Sequence, residues 1–433
     1  MEPATSVPEG NYTPALSEFF PRVNKTRLVE SGIESKDTLS ILPSNATASL
    51  AVAENFLEFR IKGCSAYYLD LSSIKLELKG TCVKAADAAL EAADHAVLVD
   101  NSLHGLFKSV SVALNGKQLE NNTMYPLISH MRIMTESSPH KADTFLANAG
   151  YWGNSHTYND VTTWPESLNT YSAKQKAGVM HWCGPLILDL GTIDGYLLDN
   201  VDLTIRLEYA SANFVISTNK PDIKPRFKIS SAKIYIDRLK PYVSAIQALN
   251  RAIEKQPMSY IYNKTLVKTF MLTKDSKTVS IDAPFQSHVP GKILIALLSM
   301  DAYSGNYKKN GLYIDNCQMT KMGVTVNNRS IYNLSCVPYE DNAMLYDACI
   351  RSIGLDTNHL LTKEKFREGC SIVCLDLVPE RIEDAVPLDI SGHLKIDMDF
   401  SNIQENVLCC IIGDTNGVLY VDQYRNVNTD AYT

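Results

Sequence analysis

Val110-Ser111-Val112-Ala113-Leu114-Asn115-Gly116-Lys117 is the stretch that decides the fold class. Its first five residues alternate apolar and small side chains, the period-two pattern of a strand that buries one face. Asn-Gly follows, the pair best suited to a two-residue turn whose central positions both take positive φ, so a hairpin is expected with Asn115 and Gly116 at its tip. The figure returns in the second half as Gly323-Val324-Thr325-Val326-Asn327-Asn328-Arg329, with Asn327 and Asn328 at the turn.

Two further segments follow each copy in the same order. Leu188-Asp189-Leu190 answers to Leu375-Asp376-Leu377. The alternating run Leu203-Thr204-Ile205-Arg206-Leu207-Glu208-Tyr209 answers to Leu394-Lys395-Ile396-Asp397-Met398-Asp399-Phe400. Between the halves, Pro241 and Pro257 bracket a stretch in which Val243, Ile246, Leu249 and Ile253 fall on one helical face. The pattern predicts an all-β protein of two tandem β-sandwiches joined by a connector helix. The expected divisions are an extended N-terminal arm at 1–50, a first sandwich at 51–240, the connector at 241–257, a second sandwich at 258–421 and a tail at 422–433.

Other alternating or apolar runs fill in the strands: Phe56–Lys62, Ile74–Gly80, Leu186–Leu190 and Lys228–Asp237 in the first half, and Lys277–Ile281, Lys292–Met300, Ile372–Leu377 and Val407–Ile412 in the second. Ala85–Ala93 reads as a short helix in a loop, and Tyr125–Glu136 as a helix inside a long irregular insertion at 121–178. Insertions of that length in a compact domain are usually functional or interfacial.

The chain has 433 residues, with 41 basic against 48 acidic side chains and a net charge of −7. Its first 40 residues carry Glu2, Glu9, Glu18, Glu30, Glu34 and Asp37 against Arg22, Lys25, Arg27 and Lys36, so there is no basic arm. Direct nucleic-acid binding is therefore not expected, since that needs a basic excess or stripe. The N-terminal residues lack a basic and apolar leader pattern, and no run of 18 apolar residues occurs, so neither a signal peptide nor a spanning helix is expected. Ten cysteines occur without a CxxC pair, which reads as reduced thiols rather than a zinc or redox framework.

Chemistry-bearing patterns are missing. No two of the nine histidines lie two, three or four residues apart, the spacing by which one element offers two ligands to a metal. There is no Gly-x-Ser-x-Gly elbow and no phosphate-cradling glycine loop. Glu383 with Asp384, and Asp397 with Asp399, are the acid pairs that general acid–base work would have to use. No catalytic, cofactor-binding or metal-ligating residue is expected, and no cofactor. Many of the 22 tyrosines, by contrast, fall in loops (Tyr171 and Tyr313 among them), where aromatic side chains suit protein contacts. Tyr151, Trp152, Tyr158, Trp164, Tyr303, Tyr307, Lys308 and Lys309 are the candidate intersubunit residues.

Four blocks resemble the double jelly-roll major capsid protein, hexon-like, of Maverick/Polinton elements and adintoviruses. They are Tyr68-Leu69-Asp70-Leu71-Ser72-Ser73, then Asn101 to Gly116 with Tyr125-Pro126 after it, then Asp301 to Asn310, and the end of the chain from Asp422 to Tyr432 with Arg425-Asn426-Val427. The first 50 residues show no match, and Gly311 stands where the family tends to have proline. The resemblance implies that each half is a jelly roll standing upright on a shell. Three chains would form a pseudo-hexagonal homotrimer, and trimers would tile an icosahedron beside penton and minor capsid proteins. Loops 121–178 and 301–316 would become outward towers or intersubunit clasps. The protein would reside in the virion, assembled in the host cytoplasm or nucleus. The competing readings are a minor capsid protein, against which the duplication argues, a glycan-acting enzyme on a double jelly roll, and a captured host copy with a new binding function.

Overall fold

The computed structural model describes residues 32–45, 55–85, 87–91, 93–176, 178–337, 342–354, 358–378 and 390–429. In the first half the strands are β1 (Ile33–Ile41), β2 (Phe56–Ile61), β3 (Tyr68–Val83), β4 (Ala96–Leu98), β5 (Phe107–Leu114), β6 (Lys117–Asn122), β7 (Met180–Pro185), β8 (Leu203–Tyr209), β9 (Ile216–Thr218) and β10 (Arg226–Pro241). A connector helix, Val243–Lys255, follows. The second half has β11 (Met258–Leu272), β12 (Thr278–Asp282), β13 (His288–Val289), β14 (Lys292–Ser299), β15 (Met319–Val326), β16 (Arg329–Ser335), β17 (Val373–Asp376), β18 (Ile390–Ser391), β19 (Leu394–Phe400), β20 (Val407–Val421) and β21 (Val427–Thr429).

The two halves are wired alike. The first pairs its strands as β1-β10-β3-β7 and β2-β8-β5-β6, and the second as β11-β20-β14-β17 and β12-β19-β15-β16, with β21 added beside β20. The short pairs β4–β9 and β13–β18 stand apart from these sheets. In each half the first long strand thus lies beside the last and the second beside the next to last, and every pairing is antiparallel. Alternation builds the cores: Leu394, Ile396, Met398 and Phe400 of β19 are buried while Lys395, Asp397 and Asp399 point outward.

The duplication extends to single hydrogen bonds. Leu114 pairs with Lys117 and Val326 with Arg329, leaving Asn115-Gly116 and Asn327-Asn328 as two-residue turns. All four have positive φ, at 47° and 79° and at 51° and 63°, the geometry that matches strand twist and favours Asn and Gly. The Asn115 side-chain oxygen accepts the N–H of Asp202 at 2.7 Å, just ahead of β8. Asn327 accepts the N–H of His393 at 2.8 Å, just ahead of β19.

Two expectations about single elements are corrected. Ala85–Ala93 is not helical: its described residues form turns and an isolated bridge from Ala89 to Val83. Asp87, at φ 60°, breaks the helical path and sends its carboxylate to Arg226 and Lys228. Leu186–Leu190 is not a strand; the strand is Met180–Pro185, and Asp189–Thr192 is a single tight turn. Within the stretch read as an arm, Ile33–Ile41 is a strand hydrogen-bonded along β10. In the stretch read as a tail, Val427–Thr429 pairs with β20. Glu383 and Asp384 lie outside the described residues.

The cores interlock across the chain's midpoint. The helix Tyr125–Glu136, carried by the first half, gives Leu127, Ile128, Met131 and Met134 to the core of the second. In return, Tyr260 and Tyr262 of β11, Leu419 and Val421 of β20 and Val427 of β21 pack into the core of the first. The connector helix leans on that same core through Ile246, Leu249 and Ile253, whereas Val243 is exposed.

Candidate functional site

Chemical groups that sequence patterns left scattered are brought together in one buried place. His130, on the helix Tyr125–Glu136, lies with Nε2 3.3 Å from Ser155 Oγ and 3.9 Å from Cys370 Sγ. The trio has a nucleophile and a base, but its electrostatics oppose catalysis. Burial pushes the Cys370 thiol up to about 12 and the His130 imidazole down to about 4, so a neutral thiol faces a neutral ring. His130 and Cys370 are wholly buried and Ser155 nearly so, leaving no approach for a substrate. His104 is likewise buried, its Nδ1 2.7 Å from Tyr125 Oη, and burial lowers it to about 3. Asp397 holds Lys395 at 3.1 Å on an outer sheet face. Among the described residues, no three His, Cys, Asp or Glu side chains are arranged to hold a metal. No helix there is long and apolar enough to cross a membrane.

What the structure does build is a clasp between the two long loops. Asp100, buried at the end of the β4 segment, accepts the backbone N–H groups of Asn101, Trp152, Gly153 and Ser155, which fixes the path of the first loop. Asn310, from the second loop, donates its amide to the carbonyls of Ser155 at 2.8 Å and Tyr158 at 3.2 Å, and its own N–H reaches the Asn159 carbonyl. Val161 N–H donates to Lys308 O, and Thr218 N–H to Tyr307 O. Tyr303 sets its ring edge-on to Phe214, with centroids 5.6 Å apart. Lys309 reaches Glu405 at 2.6 Å and Asp301 at 3.5 Å. Gly311, the departure from the family pattern, has the Phe214 ring where a Cβ would sit, 2.4 Å away.

This assigns the candidate intersubunit residues differently from one another. Tyr151 and Tyr158 are buried within the single chain, where the two loops fold back on each other. Trp152, Trp164, Tyr303, Tyr307, Lys308 and Lys309 are half-buried. Trp164 stacks on His95 at 4.9 Å, and Tyr307 Oη donates to Pro225 O.

No family model matches the sequence, and neither does any curated protein. Solved structures do match. A chain of the Sputnik virophage structure superposes with a TM-score of 0.61 at 14% identity, over 99% of this chain and 93% of that one. The mavirus major capsid protein gives 0.55 at 12% identity, over 99% and 97%. A chain of the PBCV-1 virus capsid gives 0.58 at 10% identity, over 94% and 99%. The fold is a double jelly roll.

The blocks that carried the resemblance mark places where the double jelly roll bends or is tied. Asp70-Leu71-Ser72-Ser73 is an irregularity in β3: the register jumps from Lys75 opposite Tyr235 to Asp70 opposite Asp237. Asp70 accepts from Ser72, and Ser73 Oγ accepts the Asp237 N–H, so the interrupted ladder is satisfied. At the chain's end, Asp422 caps a turn by accepting from Tyr424 and Asn426. The turn aims Arg425 into the first jelly roll, where it pairs with buried Asp199 and touches Asn250 of the connector helix. Sequence reasoning missed Asp100, which carries no local pattern, and met Asn310 only as the last residue of a resembling block, with no role assigned.

Proposed function

We propose that the protein is the major capsid subunit of a DNA virus or virus-like transposon of the Maverick/Polinton and adintovirus kind. It forms a homotrimeric, pseudo-hexagonal capsomer that tiles an icosahedral shell. The observation that carries this reading is the whole-length likeness of both jelly rolls, in one chain and in one order, to chains from virus structures. A minor subunit of a single jelly roll would not use this duplication. The reading also accounts for what the chain spends its polar residues on: fixing loops rather than converging on a substrate.

In this role the subunit contacts two other copies, neighbouring capsomers and a penton or minor capsid protein, and belongs in the virion, assembled in the host cytoplasm or nucleus. With a net charge of −7 it does not itself condense the genome. The outer sides of Trp152, Trp164, Tyr303, Tyr307, Lys308 and Lys309 are the proposed contact residues. Exposed Met271, Val337 and Met344 offer further apolar area. The test is native mass by light scattering, followed by electron microscopy of concentrated protein. A mass three times the 48.1 kDa chain, and shells or hexagonal arrays, are expected. A stable monomer at every concentration overturns the reading.

A further inference from the structure

The seam between the jelly rolls contains more buried acid than it has base to match. Glu120, at the end of β6, is 3% exposed, and Asp189, in the turn that replaces the expected strand, is 7% exposed. Glu120 accepts the backbone N–H of Asp189 at 3.0 Å and the Asn122 side-chain amide at 2.9 Å. Asp189 reaches across to the second jelly roll, where it accepts the N–H of Thr265 at 2.9 Å and its hydroxyl at 2.6 Å. Arg132, on the helix that enters the second core, holds Asp414 of β20 at 2.8 Å and Glu136 at 2.9 Å, and also donates to Thr265 Oγ1.

These groups come from every element packed at the seam: β6, the turn at 189, the helix at 125–136, β11 and β20. The others facing it are Lys264 and Tyr262 on β11, Tyr125 at the head of the helix, and Lys292 of β14, which sits opposite Asp414 in the ladder. Burial weakens the Lys264 charge, and Lys292 leans toward Asp376 at 4.0 Å. Arg132 alone lies at the centre as a full cation; burial opposes its charge, but Asp414 and Glu136 outweigh that and keep it protonated. One guanidinium already paired with Asp414 and Glu136 cannot also neutralise the buried Glu120 and Asp189.

We propose that this seam is a pH-gated joint between the two jelly rolls, locked when Glu120 carries a proton and slackened when that proton leaves. A protonated Glu120 keeps its oxygen toward the Asp189 N–H. It donates its own hydrogen to the Asn122 amide oxygen after that amide turns over, so the proton has a place to sit. Burial, and then the neighbouring Asp189 charge, hold Glu120 well above the usual carboxylate range, and burial raises Asp189 as well. Raised acids in the folded chain contribute stability that is complete below the unfolded carboxyl value of about 4.5 and is lost as pH rises through the folded one.

Glu120→Gln imitates the locked state without a titrating proton. Its melting temperature is expected to exceed that of the parent by at least about 2 °C at pH 8 and to equal it at pH 5. In the parent, hydrogen exchange at the amides of Asp189 and Thr265 is expected to accelerate from pH 5 to pH 8 beyond the intrinsic rate. Exchange in β19, which lies in the other sheet of the second jelly roll and supplies none of the seam groups, serves as reference, and this measurement needs no variant to fold. A melting difference independent of pH, or seam amides that track β19 at both pH values, overturns the proposal.

Discussion

At the residue scale, the buried histidines set an acid limit on the fold. His104 and His130 sit at about 3 and about 4 because burial disfavours their charged forms. Between about 6.5 and those values the unfolded chain binds protons that the folded chain refuses. Stability therefore falls as pH drops through that window, by up to about 1.4 kcal/mol per pH unit for each histidine. The raised acids of the seam act in the opposite direction, so the histidine effect is read from a variant. His104→Asn keeps an acceptor for Tyr125 Oη without a titrating ring, and its stability against pH between 5 and 6.5 is expected to be flatter by about one proton. An unchanged slope in denaturant melts removes His104 from the account. Gly311→Ala makes a second test, since its Cβ would strike the Phe214 ring. It is expected to lower the melting temperature, by about 1–3 kcal/mol of stability, whereas Phe214→Ala in the same chain relieves the clash. Neither the histidines' burial nor the space at Gly311 was legible in sequence, because both are set by residues distant along the chain.

Elements were more legible than their joints. β19 and the helix Tyr125–Glu136 match the expected ranges, because each carries an unbroken period of its own. Leu188-Asp189-Leu190 misled for the opposite reason. Its alternation mimics Leu375-Asp376-Leu377, but Asp189 is drawn aside by Thr265 of β11, and the backbone turns there. Ala85–Ala93 misled through composition alone, since alanine's helical preference is weak beside an Asp87 tied to two cations. The hairpin β5–β6 is the element most dependent on its turn. Replacing Asn115-Gly116 by Val-Val puts branched side chains at positive φ and removes the bond to Asp202, with an expected cost of at least about 2 kcal/mol. Unchanged folding by circular dichroism and melting would count against the turn's role. At the chain's end, Arg425→Ala strands Asp199 without its cation. Breaking a buried pair from one side costs about 3–5 kcal/mol. Limited proteolysis should then cut near Tyr424 sooner than in the parent, and equal cutting rates would show that β21 holds without the arginine.

At the scale of the whole molecule, the internal repeat made two sandwiches legible, but it suggested two bodies in tandem. The structure instead exchanges parts between them. The helix Tyr125–Glu136 leaves the first jelly roll to fill the second core, and β11 and β20 run on from the second to wall the first. A period in sequence reports how each strand faces its own sheet; it carries no information about which core a long strand's far end enters. The exchange has a thermodynamic consequence. Residues 1–257 alone would lack Tyr260, Tyr262, Leu419, Val421 and Val427, and residues 258–433 alone would lack Leu127, Ile128, Met131 and Met134. Each missing side chain withdraws about 1.5–3 kcal/mol of apolar burial and leaves a cavity besides. The totals are comparable with the entire stability of an ordinary domain. Neither half is therefore expected to fold alone, and the full chain is expected to melt in one calorimetric transition despite having two sandwiches. Two resolved transitions, or a separately expressed half with cooperative unfolding and protected amides, would mean that the shared helix and strands are ornaments on independent domains rather than the bond between them.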